Sequence, residues 1–190
     1  MKRLFVFLIA TISLIASCGV ISQSPVRSGK SIPTTFFNCT LGCNLSYVNS
    51  AMERLDYYSS WGLSARQVLP LGKRKIKTWR SYSHVPYGGY TWQEASFLFD
   101  YRDRFFCIAF TQDFSTAYAE SRYNDLKATL DEKYGVGTTT EYGVLYGNPQ
   151  GKCIVLAIVP HSDKEGAMCG LYYMDDKIYR TSTAEATDEL

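Results

Sequence analysis

The chain is 190 residues long, 46% hydrophobic and 20% charged. That apolar content suffices for one compact domain, or two small modules sharing a sheet, and excludes a disordered chain. Its 20 Lys and Arg against 18 Asp and Glu give no global field to draw in a polyanion, which argues against a nucleic-acid role.

Lys2 and Arg3 open the chain, an apolar stretch runs from Leu4 to Ile15, and Ile15-Ala16-Ser17-Cys18 places small residues just before a cysteine. A basic head, a short apolar core and a small-residue exit mark a secretory signal, and the stretch is shorter than the ~20 residues of a membrane-spanning helix. The exit resembles the lipobox of bacterial lipoproteins, whose signal is cut before a cysteine that is then acylated. That resemblance implies a signal over residues 1–17, acyl chains on Cys18, and a body anchored in the cell envelope at the outer membrane, in its periplasmic or surface-facing leaflet. The residues also fit a plain secretory signal. Cleavage removes Lys2 and Arg3 and leaves 18 basic against 18 acidic side chains. Residues 18–35, rich in Ser, Gly, Pro and Thr and without a period, read as a flexible tether.

The first helix is expected from Leu45 to Tyr58, with Leu45, Val48, Met52 and Leu55 on one stripe and Asn44 or Ser46 as its cap. Lys73-Arg74-Lys75-Ile76-Lys77 suits a solvated strand edge. Strand signals follow over 76–85, 91–101 and 104–112. The last two form a hairpin about Tyr101–Arg104, with Phe97, Phe99 and Tyr101 sharing one face and Phe106, Ile108 and Phe110 another. A second helix spans 116–134 on the stripe Ala119, Tyr123, Leu126, Leu130 and Tyr134, with Ser115 to cap it and Gly135 to end it. Strands over 138–146, 152–159 and 167–174 complete the pattern, and Ile154–Val159 is apolar enough for a strand buried on both sides. The expected fold is α+β: an antiparallel sheet of about six strands with two helices on one face, the other face solvated or a contact surface. The folded body is expected over 36–176, ahead of a polar tail over 177–190. The order is compatible with a tandem α-β-β-β repeat, halves 36–113 and 114–176.

Little in the chain points to catalysis. His84 and His161 are the two histidines, and no nucleophile elbow, phosphate loop, dinucleotide fingerprint, calcium loop or zinc-protease motif is present. Both histidines read as structural or surface residues, and Cys107, inside Phe105–Phe110, as a buried small hydrophobe. Cys39 and Cys43 form a C-x3-C pair that fits a local bridge or separate structural roles better than a metal site. Mirror pairing about the 162–165 loop sets Cys153 opposite residue 174, not Cys169. No cofactor or metal is expected.

The remaining feature is aromatic crowding around a Pro-Gly-Gly loop. Tyr82, Tyr87, Tyr90 and Trp92 are the candidate binding residues, with Tyr87 and Tyr90 expected to be exposed at the loop tip. The segment Leu41-Gly42-Cys43-Asn44-Leu45-Ser46-Tyr47-Val48, followed by antiparallel strands, resembles the small beta-lactamase-inhibitor-like lipoprotein modules, which include the small lipoprotein of the outer-membrane assembly machinery. The chain also resembles lipoproteins of Bacteroides-type bacteria. The resemblance implies a non-catalytic, protein-binding or scaffold module whose partners are the membrane, through Cys18, and an envelope protein. A carbohydrate-binding lipoprotein using the same rings is the alternative; a small hydrolase ranks below both.

Overall fold

The computed structural model describes residues 30–57, 60–63, 68–69, 72–73, 76–141, 143–161 and 165–181. The expected signal, Cys18, most of the tether, Arg74, Lys75 and the end of the tail lie outside them. In chain order the elements are β1 (Thr35–Phe36), β2 (Cys39–Thr40), α1 (Leu45–Glu53), β3 (Ser60–Leu63), β4 (Val68–Leu69), β5 (Gly72–Lys73), β6 (Thr78–Tyr87), β7 (Tyr90–Phe99), β8 (Phe105–Phe114), α2 (Thr116–Tyr134), β9 (Thr138–Thr140), β10 (Gly143–Gly147), β11 (Lys152–Pro160) and β12 (Ala167–Asp175). A short helix covers residues 176–181. Eight strands make one antiparallel sheet in the order β3-β6-β7-β8-β12-β11-β10-β9, while β1 with β2 and β4 with β5 form two small ribbons.

This is the α+β architecture that the periodicities imply. α2 buries Ala119, Leu126 and Leu130 against the sheet and stops where Gly135 adopts φ +83°, a left-handed conformation that glycine adopts without a Cβ clash. α1 buries Val48, Ala51 and Met52 on the same face, and the Asn44 side chain caps it by accepting from the Tyr47 N–H at 2.9 Å. α1 ends at Glu53, short of the expected Tyr58, because Asp56 turns the chain at φ +58°; Leu55 is left 41% exposed. The strand expected over 138–146 is a hairpin: Thr138–Thr140 folds back so that Thr140 pairs with Gly143. β11 is flanked by β10 and β12 and carries buried side chains on both faces, as its continuous apolar run implies. Cys153 pairs with Met174, the partner read from mirror symmetry.

The two helices share their side of the sheet with the β1–β2 ribbon, which begins at Thr35, the last residue of the expected tether, and otherwise lies at the start of the expected body. Thr35 pairs with Thr40, and Ile32 packs against the core. Phe37 and Asn38, at φ +50° and +63°, make a two-residue turn that drives Phe36 and Phe37 inward. Phe37 then meets Tyr57, Tyr87, Phe97 and Phe110 at centroid distances of 6.3–6.4 Å. These contacts offset the cost of a left-handed aromatic residue, since well-oriented ring pairs contribute ~0.5–1.5 kcal/mol each beyond their buried area.

The opposite face is not solvated. Leu98, Phe106, Cys107, Ala109, Leu145, Cys153, Val155 and Met174 form a second buried apolar cluster, against which Trp79, Ile178 and Tyr179 pack. Ile178 and Tyr179 belong to the segment read as a polar tail. Asp176 anchors it: its N–H donates to Gly151 O (2.8 Å) and its carboxylate takes a hydrogen bond from Arg180. Arg104 Nη2 adds a bond to Ile178 O at 3.0 Å. A register shift at Leu98/Phe99 explains the misplaced Phe106. Phe99 pairs with Phe105, so Phe105 takes the helix-side position and Phe106 turns to the second face. The tight turn at Tyr101–Arg104 is present, tied down by the buried Asp100 carboxylate, which accepts from Arg102 N, Arg104 N and Arg104 Nε.

Candidate functional site

The β6–β7 hairpin closes on Gly88 and Gly89 at φ +62° and +83°, the pair of left-handed residues that a two-residue turn of this twist demands. A Cβ at either glycine would meet nothing within 4 Å, so conformation and not space selects glycine here. The turn stands over α2 and leaves a cleft of about 490 Å³. One wall is the turn, Tyr87 to Tyr90; the other is the α2 face carrying Leu126, Thr129, Leu130, Lys133 and Tyr134; the floor is Trp92, Leu171 and Tyr173. That volume falls within the range that holds small ligands or an inserted side chain.

Three of the four candidate binding residues meet at this cleft, and each is held in place. Trp92 is fully buried, and its Nε1 donates to Tyr87 O at 3.1 Å, pinning the hairpin tip to its own strand. Tyr87 stacks on Phe110 at 4.2 Å with 5° between planes. Tyr90 lies under the Arg122 guanidinium, 4.0 Å from the ring centroid, a cation–π contact. Tyr87 and Tyr90 are therefore half-buried and turned inward, not exposed at the tip as expected. Tyr82 does not line the cleft: it is 2% exposed and packs edge-on against Phe97 at 5.7 Å. Burial pushes its phenol up to about 12. Tyr82 shares the helix side with the other three but stands farther from the turn, paired with Ala95. Tyr82 and Val85 both point to the helix side because His84, between them, takes φ +56°.

The polar groups of the cleft are mainly phenols. Burial raises the Tyr87 phenol, opposed by a hydrogen bond with Tyr173, and burial raises Tyr173 in turn. The Tyr134 hydroxyl is buried and has no hydrogen-bond partner among the described residues. An unpaired buried hydroxyl costs ~1–3 kcal/mol, which an incoming acceptor would recover. The residues of α2 that complete the cleft were not among the sequence candidates. Tyr134 was visible as the last member of the apolar stripe, but nothing in the local pattern set Thr129 or Lys133 opposite the hairpin tip.

The remaining candidates for chemistry stand elsewhere. His161 Nε2 lies 3.3 Å from Asp113 Oδ1, and neither residue lines the cleft. His84 is exposed on its strand. Cys107 is buried in the second cluster, as its apolar run implies. Among the described residues no three His, Cys, Asp or Glu side chains converge as a metal site, and no helix is long and apolar enough to cross a membrane. No family model, curated protein or solved structure matches the chain, so the resemblance carried by Leu41–Val48 gains no support from known proteins.

Proposed function

We propose that the protein is a membrane-anchored lipoprotein of the cell envelope, tethered through acylated Cys18, whose folded body is a non-catalytic binding module for an envelope protein. The observation that carries this reading is the cleft between the β6–β7 turn and α2, lined by Tyr134, whose buried hydroxyl has no hydrogen-bond partner among the described residues. Among the described residues its lining offers aromatic and aliphatic surface, phenols and one lysine, and no carboxylate, imidazole or thiol to act as acid, base or nucleophile. An apolar side chain of the partner fills the cleft, and a carbonyl beside it accepts from Tyr134. Sugar binding is the weaker reading, because stacking on a sugar needs open ring faces. Here Phe110 occupies one face of Tyr87, Arg122 sits over Tyr90, and Trp92 is wholly buried.

The test places a photo-reactive amino acid at Thr129, on the α2 wall, in the full-length protein in cells. A discrete protein adduct is expected from Thr129 and not from Tyr118, which is 73% exposed elsewhere on α2. Tyr134→Phe should leave thermal stability unchanged or slightly raised, since it removes an unsatisfied hydroxyl, while cutting the adduct roughly tenfold, the worth of one hydrogen bond. Equal adducts from both positions would overturn the cleft as the binding site. Mass spectrometry of the mature N-terminus tests the anchor, and an unmodified Cys18 removes it.

A further inference from the structure

The turn leading into α1 brings two thiols together. The Cys43 N–H donates to Thr40 O at 3.0 Å, closing a turn in which Gly42 takes φ +100°. Both flanks of the turn are fixed: Cys39 by the β1–β2 pairing, and Cys43 by its carbonyl, which accepts from Phe105 N at 2.8 Å. The side chains of Cys39 and Cys43 lie within hydrogen-bonding reach of each other, and both are free thiols. Their surroundings differ. Cys39 is 0% exposed in the helix-side core, its sulfur also against Phe37 O at 3.6 Å, whereas Cys43 is half-buried at the surface of the turn.

We propose that Cys39 and Cys43 form a redox couple in which Cys43 is the attacking thiol and Cys39 the buried resolving thiol. The asymmetry of the pair supports the roles. Pairing with Cys39 holds the Cys43 thiol below its ordinary value against the effect of burial, while the same pairing, together with burial, drives Cys39 far above it. Of the other described cysteines, Cys107, Cys153 and Cys169 are all buried, and burial pushes Cys169 up to about 11.

The co-reactant is a small disulfide such as oxidised glutathione. The Cys43 thiolate attacks one of its sulfurs, the S–S bond breaks, and one glutathione thiolate leaves. Cys39 then gives up its proton, and its sulfur attacks the Cys43 sulfur of the mixed disulfide, expelling the second glutathione thiolate. Two protein thiols become one disulfide, one glutathione disulfide becomes two thiols, and the protons pass to the leaving thiolates. The closed loop is short, so the chain-entropy gain is small, and the bond acts as a reversible state of the turn more than as a staple for the fold. The inference stands independently of the cleft.

Alkylation of the purified, reduced full-length protein near neutral pH, followed by peptide mass spectrometry, tests the assignment. Cys43 should react at least about tenfold faster than Cys107, Cys153 or Cys169, as expected for a stabilised, accessible thiolate. Oxidised glutathione should yield a Cys39–Cys43 peptide lighter by two hydrogens, with no lasting adduct. Cys39→Ser should trap glutathione on Cys43, and Cys43→Ser should leave Cys39 unmodified. Equal alkylation of all the thiols, a lasting adduct on the unsubstituted protein, or no trapping in Cys39→Ser would each overturn the couple.

Discussion

Asp131, near the end of α2, shows how one side chain ties helix to sheet. Its carboxylate takes hydrogen bonds from Lys127 at 2.5 Å and from the Tyr146 hydroxyl at 2.9 Å, and from the Gly137 N–H at 3.4 Å. Burial alone would raise its pKa, but these three donors, Lys127 first, hold it below the usual carboxylate value. A carboxyl depressed in the folded state contributes its stability above its unfolded pKa, about 4, and loses it as pH falls through the folded value. Asp131→Asn should therefore cost on the order of 1 kcal/mol near neutral pH, a figure kept low because the pair is partly exposed. It should also flatten the decline of stability below about pH 4. Denaturant midpoints measured at a series of pH values check both outcomes, and an unchanged acid limb would refute the assignment. Residues of this kind were hidden in the sequence: Asp131 sits four positions from Lys127, which suggests only a surface pair, and its link to Tyr146 exists because α2 docks on β10.

Glycines separate the elements by what surrounds them. Gly143 opens β10 at φ +148°, and a Cβ there would lie 2.0 Å from Leu156 O and 2.9 Å from Ala157 Cα, backbone atoms of the buried strand β11. Gly143→Ala is both strained and obstructed and should cost roughly 3 kcal/mol or more, lowering Tm by roughly 10 °C. Gly88→Ala carries only the conformational penalty and should cost about 1 kcal/mol. Thermal melts of the two variants distinguish a blocked position from a merely left-handed one; equal losses would refute the packing argument. At this scale the sequence was most readable where a period and a terminator coincide. α2 runs from Thr116 to Tyr134, as its stripe and Gly135 imply, and β8, β11 and β12 fall within a few residues of the expected strands, whereas the strand expected over 138–146 folds back on itself as β9 and β10. The β1–β2 ribbon was missed because two-residue strands have no period, and its reason for existing is the set of rings it meets across the fold. Phe106 was set on the wrong face because alternation cannot see a register shift.

Across the whole molecule, many of the tyrosines work inside. Burial raises the phenols of Tyr82, Tyr87, Tyr123, Tyr146, Tyr172 and Tyr173, that of Tyr82 to about 12. A neutral phenol protected by the fold favours the folded state below its unfolded pKa, about 10, and the benefit is lost as pH rises toward the folded value. Each such group contributes up to about 1.4 kcal/mol per pH unit across that window. The protein should therefore unfold cooperatively between about pH 10 and 12, with tyrosinate absorbance rising together with the loss of circular dichroism. Gradual ionisation near pH 10 with unchanged dichroism would contradict the buried placement. The aromatic content announced a core this rich in rings, but which of them face the cleft depends on the pairing of distant segments. That pairing has its own implication at the middle of the sheet, where β8 and β12 lie side by side although α2 and three strands separate them along the chain. A nascent chain has made β8 long before β12 exists, so the strand waits with its outer backbone groups unmated, an invitation to any sister molecule. The β11–β12 hairpin must arrive to seal that border, and the interval before it emerges is when β8 is most open to clumping.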